Sequence, residues 1–307
     1  MPGILVNKLY DFKGHRSAVY ALERGSSPNF FFSAGGDGLV VEWDMNRPDQ
    51  GELIANVPNP VYALHYLPER KVLAVGHNQN GIHFIDLIQR KEIASVQLTN
   101  NPIFDIRSFG TLLLAGSGDG SIYIVDVSTF RLVKKITHSS QSVRCLDICS
   151  KNNELAAGYS DNHIRIFSLE DFSLKKEWPA HSNSVFALLF SPDGNFLASG
   201  SRDAHLKRWD VSHGYSLNGD VAAHLYAINS LAFSPDGKHF LTCSMDKSIK
   251  VWKTDGMKLL KVIDHARHAG HGTSVNKILW LNERTFVSAS DDRNISVWNI
   301  HFENEKS

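Results

Sequence analysis

The chain has 307 residues, 42% of them hydrophobic, and its 32 basic side chains balance its 32 acidic ones. That balance leaves no electrostatic footprint for wrapping nucleic acid or lying on an anionic membrane, and no apolar run approaches the ~20 residues of a membrane-spanning helix. The opening segment MPGILVNKLYDFKGH lacks the basic start, apolar centre and cleavage site of a secretory signal. Of the three cysteines, Cys145 and Cys149 are the close pair. On a strand their Cα atoms lie roughly 13 Å apart, beyond disulfide reach. The expectation is a reducing, intracellular, cytoplasmic setting.

Taken in chain order, the elements repeat. An Asp followed six positions later by Trp occurs at Asp37/Trp43, Asp203/Trp209, Asp246/Trp252 and Asp292/Trp298. Asp119/Val125, Asp161/Phe167 and Gln79/Ile85 complete the series with substitutions, so the second members advance by 42, 40, 42, 42, 43 and 46 residues. Each unit opens with an apolar stretch such as SVFALLF, reverses at a turn such as SPDG, and continues through a small apolar stretch, NFLASGS. A tight turn at the Asp leads into HLKRWDV, and a polar stretch closes the unit. No apolar stripe of helical period runs ten residues or more. Four short strands per ~40–45 residues, with Asp and Trp in register, are the pattern of a β-propeller blade.

These residues resemble the WD-repeat family. The dipeptide stands as Trp43-Asp44 and Trp209-Asp210, and the opening Gly-His as Gly14-His15 and Gly270-His271. The likeness covers essentially the whole chain. It implies one all-β domain spanning residues 1–307, a seven-bladed β-propeller of four-stranded antiparallel blades. The last unit ends too early for a fourth strand, while GILVNKLYDFK stands before the first. The N-terminal strand is therefore expected to join the last blade and close the ring.

The resemblance also assigns the residues that recur in register. His15, Ser33, Asp37 and Trp43 form one set; His181, Ser199, Asp203 and Trp209 a second. His224, Thr242, Asp246 and Trp252 form a third; His271, Ser288, Asp292 and Trp298 a fourth. A nucleophile triad is needed once, so four copies of Ser, His and Asp imply a structural hydrogen-bond chain. Units two to four lack the full set, with Val75, Ala115 and Ala157 at the hydroxyl position and Ser139 at the place of the fourth unit's His.

Function is then expected where the repeats differ. In the family the residue after the first large apolar residue of each blade sits on a bulge at the upper rim of the channel, a recurrent partner-contact position. Here that residue is Tyr20, Tyr62, Phe104, Arg144, Phe186, Asn229 and Asn276. The residue before each Asp also lies on this rim in the family, which adds Arg202 and Asp291 as candidates and puts small residues, Gly36 and Gly118, beside the aromatics of units one and three. Aromatic and Arg side chains dominate binding hot spots. The rings could instead serve to pack neighbouring blades.

Other signals are weaker. GSGDGS at 116–121 lacks the Lys-Ser/Thr of a phosphate loop, and reads as a turn. His265, His268 and His271 are spaced three apart, but the last belongs to a recurring set. The expectation is a non-catalytic protein- or peptide-binding module without cofactor or metal, monomeric on its own, with no nucleic-acid or membrane partner. Its partner carries an acidic or phosphorylated group. The alternative is an architectural or sensor subunit of a multiprotein complex.

Overall fold

Turn chemistry sets where each strand ends. The computed structural model describes residues 4–48 and 50–302. After β1 (Ile4–Phe12), the first unit forms β2 (Val19–Arg24), β3 (Phe30–Gly35), β4 (Leu39–Asp44) and β5 (Gly51–Asn56), one antiparallel sheet in that order. Five more four-stranded sheets follow in the same order: β6–β9 over residues 61–96, β10–β13 over 103–137, β14–β17 over 143–179, β18–β21 over 185–222 and β22–β25 over 228–263. The seventh holds β26 (Val275–Asn282), β27 (Thr285–Ser290) and β28 (Ile295–Phe302), and its fourth strand is β1. The innermost strands touch in succession and β26 meets β2, so the sheets close into a seven-bladed propeller. The one α-helix among the described residues is a single turn, His265–His268, within the longest repeat interval.

Burial follows the radius. Second strands such as Phe196–Ser201 are buried at every position because both faces meet neighbouring sheets, whereas outer strands such as Gly51–Asn56 are largely exposed. The wedge is tightest at a column of glycines. A Cβ added at Gly76, Gly116, Gly158 or Gly200 would lie 2.6–2.8 Å from a methyl of Ile103, Val143, Val185 or Ile228, the leading residue of the next blade.

Each full recurring set forms a directed chain of hydrogen bonds. In the fifth blade the Trp209 indole N–H donates to Ser199 Oγ at 2.8 Å, the hydroxyl donates to His181 Nε2 at 2.7 Å, and His181 Nδ1–H donates to Asp203 at 3.0 Å. The first, sixth and seventh blades repeat this through Trp43, Trp252 and Trp298. Burial holds the His181 imidazole below its usual pKa; the Asp203 carboxyl, though burial raises it, is held below its usual value by His181 and by the N–H groups of Ser182 and His205. The pair is thus carboxylate and neutral imidazole near pH 7.

The Asp has a second duty. Its carboxylate accepts the backbone N–H two residues on in six blades, at Leu39, Ser121, His163, His205, Ser248 and Asn294. The residue between is left-handed, with φ near 70° at Ala204, Lys247 and Arg293, and the side-chain bond holds that turn. This is why Asp119 and Asp161 persist where Trp and His are gone. Asp119 accepts the Tyr123 hydroxyl at 2.6 Å and Asp161 accepts that of Ser139 at 2.7 Å. In the second blade, which has Gln79 instead, His77 and His83 stack with centroids 4.6 Å apart.

Ser199→Ala would strand the Trp209 N–H and His181 Nε2 together, and is expected to cost about 2–4 kcal/mol in urea unfolding. Adding Trp209→Phe and His181→Val should cost much less than the sum, because all partners then leave together. Deleting residues 1–13 exposes the long edge of β28. Light scattering and thermal melts should show association and a lower melting point.

Candidate functional site

The inner strand of every blade is broken at the same place. Pairing with the second strand shifts register between Val19 and Ala21, Val61 and Ala63, Ile103 and Asp105, Val143 and Cys145, Val185 and Ala187, Ile228 and Ser230, and Val275 and Lys277. The extra residue is unpaired and re-aimed. All seven such residues, from Tyr20 to Asn276, line one cavity of about 250 Å³ at the mouth of the channel.

The mouth is asymmetric. The Tyr20 and Tyr62 rings stack with centroids 5.0 Å apart, and Phe104 tilts against Tyr62 at 5.5 Å. The Arg144 guanidinium lies 3.8 Å from the centre of the Phe104 ring and 4.8 Å from that of Phe186. Five side chains from five successive blades therefore form one continuous arc. They touch across blades and remain half-exposed to the cavity. The small residues sit beside them: a Cβ at Gly36 would be 3.5 Å from Tyr20, and one at Gly118 3.5 Å from Phe104.

The other side is closed by amides. Asn229 Nδ2 donates to Val275 O at 2.9 Å, and Asn276 Nδ2 donates to Val19 O at 3.0 Å and to Asp291 at 2.8 Å. These donors tie each bulge to the next blade or to the rim. Arg202 and Asp291 are exposed and do not line the cavity, so Arg202 does not join Arg144 there. Of the spaced histidines, His265 Nδ1–H donates to Gly270 O at 2.6 Å and His271 belongs to its hydrogen-bond set. No group of three metal-ligating side chains occurs among the described residues.

Below the arc lies a polar belt that the repeat comparison passed over. Glu23, His65, Arg107 and Asp147 occupy one equivalent position in the first four blades, where the next three have Leu189, Ala232 and Leu279. A polar residue in four successive inner strands at one register was the available signal. Each reaches the next blade. Glu23 accepts the Tyr66 N–H, His65 Nε2 bonds Ser108 Oγ at 2.8 Å, and Asp147 accepts the Phe190 N–H at 2.7 Å. Arg107 donates to Asp105 at 2.6 Å and lies 3.6 Å from Asp147. Asp105 accepts the Leu146 N–H at 2.9 Å. Burial pushes the carboxyls of Glu23 and Asp147 up to about 7 and about 6, and the imidazole of His65 down to about 4.

The sign for Glu23 follows from its ordinary value of 4.5. Ionisation between there and about 7 favours the unfolded chain, so its contribution to stability falls as pH rises through that window. Glu23→Gln should therefore gain stability relative to the parent between about pH 5 and about pH 8, by about 1–2 kcal/mol in chemical unfolding. A difference independent of pH would refute this placement of Glu23.

The geometry can be set beside known proteins. The family model described as WD domain, G-beta repeat (WD40) matches residues 6–44, 130–168, 172–210, 216–253 and 261–299. Residues 45–129, between the first two matches, hold the second blade and the first three strands of the third, which lack the indole and imidazole of the recurring set. WD repeat-containing protein SL1-17 of Schistosoma mansoni is 24% identical over 123 residues, which are 39% of this chain and 41% of that protein. The crystal structure of the WD40 beta propeller domain of Doa1 has the same fold, with a TM-score of 0.82 at 17% identity over 97% of each chain. With the repeat matched over more than half its length and seven closed blades, the chain belongs to the WD40 family.

Proposed function

We propose that the protein is a non-catalytic interaction module that receives a protein or peptide on the upper rim of its channel. WD40 propellers are in general protein-interaction modules, and the fold alone does not select a site. The observation that carries the reading is the arc of Tyr20, Tyr62, Phe104, Arg144 and Phe186, half-exposed around one cavity. Rings already stacked on one another have little rotamer entropy left to lose, which suits them as anchors. Leu225, Tyr226 and Met245, 83%, 61% and 55% exposed on loops of the sixth blade, add further apolar side chains that a protein partner could cover. Arg144 has no carboxylate partner among the described residues, and this supports a partner with an acidic or phosphorylated group.

A captured partner should lose about 2 kcal/mol or more of binding free energy, roughly thirtyfold in affinity, on Tyr62→Ala or Phe104→Ala. Val133→Ala on an outer strand should leave binding unchanged. Normal binding by a folded Tyr62→Ala/Phe104→Ala double variant, measured by calorimetry, would move the site elsewhere.

A further inference from the structure

The mouth contains a second cation without a counter-ion, one residue inside the rim. Lys277 follows Asn276 on β26 and lines both the mouth and the channel below it. Its ammonium makes no hydrogen bond or ion pair among the described residues, and Glu23 acts on it only through longer-range attraction. Arg144 is in the same condition. Its guanidinium is held by two ring faces, its Nε is buried without a partner, and burial lowers its pKa. The other cations facing the channel are satisfied: Arg107 by Asp105, and Arg24 by the carbonyl of Trp280 at 2.9 Å.

The acids nearby cannot serve instead. Asp105 already accepts from Arg107 and from the N–H groups of Ile106 and Leu146. Glu23 accepts the Tyr66 N–H, and its raised pKa leaves much of it neutral near pH 7. The two Asn amide donors of the mouth are used on the carbonyls of Val275 and Val19. A partly desolvated cation without an anion is costly. Two of them lining one small cavity form a site suited to an anion.

We infer that Arg144 and Lys277 together receive a single carboxylate, carried on an acidic side chain of the partner and inserted along the channel axis through the aromatic arc. This rests on the rim reading above. A cavity of about 250 Å³ admits one side chain rather than a strand of peptide. The free edge of one guanidinium and one ammonium match two carboxylate oxygens. A phosphate dianion would need more donors than these, and would sit above Asp105 and Glu23.

The test is selection from a displayed library of random peptides on the full chain, with Tyr62→Ala/Phe104→Ala and Lys277→Met variants as parallel baits, each checked by circular dichroism and thermal melting. Peptides that require the two rings should share an Asp or Glu at one position. In a synthetic peptide from that set, changing this Glu to Gln should weaken binding about tenfold or more. Lys277→Met should weaken the Glu peptide similarly and leave the Gln peptide unaffected, and Lys277→Arg should restore much of the loss. Arg144→Met should behave like Lys277→Met if it melts normally. Ring-dependent peptides without an acidic position, or a Glu-to-Gln effect uncoupled from Lys277, overturn this inference and leave the rim reading standing. A phosphoserine peptide that binds much more tightly than the Glu peptide overturns the assignment to a carboxylate. Failure to select any peptide that depends on Tyr62 and Phe104 counts against the rim reading itself, and this inference falls with it.

Discussion

The pairing of β1 with β28 is the constraint from which the other features follow. Seven sheets joined only in sequence would leave the outer edge of the last blade open. Here Val6 faces Ile300 and Lys8 faces Trp298 in an antiparallel ladder, and the Ser296 hydroxyl donates to Asp11 at 2.7 Å. Closure fixes how tightly the inner strands crowd the axis. That crowding excludes a Cβ at Gly76, Gly116, Gly158 and Gly200, and sets the seven bulges in one ring.

Two kinds of interaction then divide the work around the ring. Blades one, five, six and seven carry the full Trp–hydroxyl–His–Asp chain, which is favourable because each donor finds an acceptor. Blades two to four lack it and instead carry the channel-facing staples of His65, Arg107 and Asp147. Those same three blades supply Tyr62, Phe104 and Arg144 to the rim. Opposite them, on blades six and seven, Asn229 and Asn276 use their amides to tie blade to blade. The sector with the least repeated hydrogen bonding supplies three of the five side chains of the rim arc.

Charge in the channel is sorted by the same geometry. Acids at the belt are met by backbone N–H groups of the next blade, so their carboxyl oxygens serve cohesion between sheets. Cations at the mouth lie above that belt, on or beside the bulges of the inner strands, where the nearby carbonyls of Val275 and Val19 are already taken by Asn229 and Asn276. Arg144 is held by rings rather than by an anion. It is the placement of the bulge, not the identity of the residue alone, that leaves its charge unanswered.

The repeat was legible in the chain itself. A step of about 42 residues from Trp43 to Trp298, with Asp six positions before each member but one, specifies seven four-stranded units, because turn residues and strand alternation act locally. The bulge residues were also legible, since they follow an apolar residue at constant register. What neighbours across blades do to one another was not. Asp119 and Asp161 looked like remnants of a lost hydrogen-bond set until the turn bond to Ser121 and His163 gave them a local duty. Arg202 and Arg144 looked like partners on one rim, yet of the two only Arg144 lines the mouth, where Lys277 is the other cation without an ion pair among the described residues. Sequence register places a residue along its own strand. Which side chains meet at the axis depends on the angle between blades and on ring closure, and only the tertiary structure decided that.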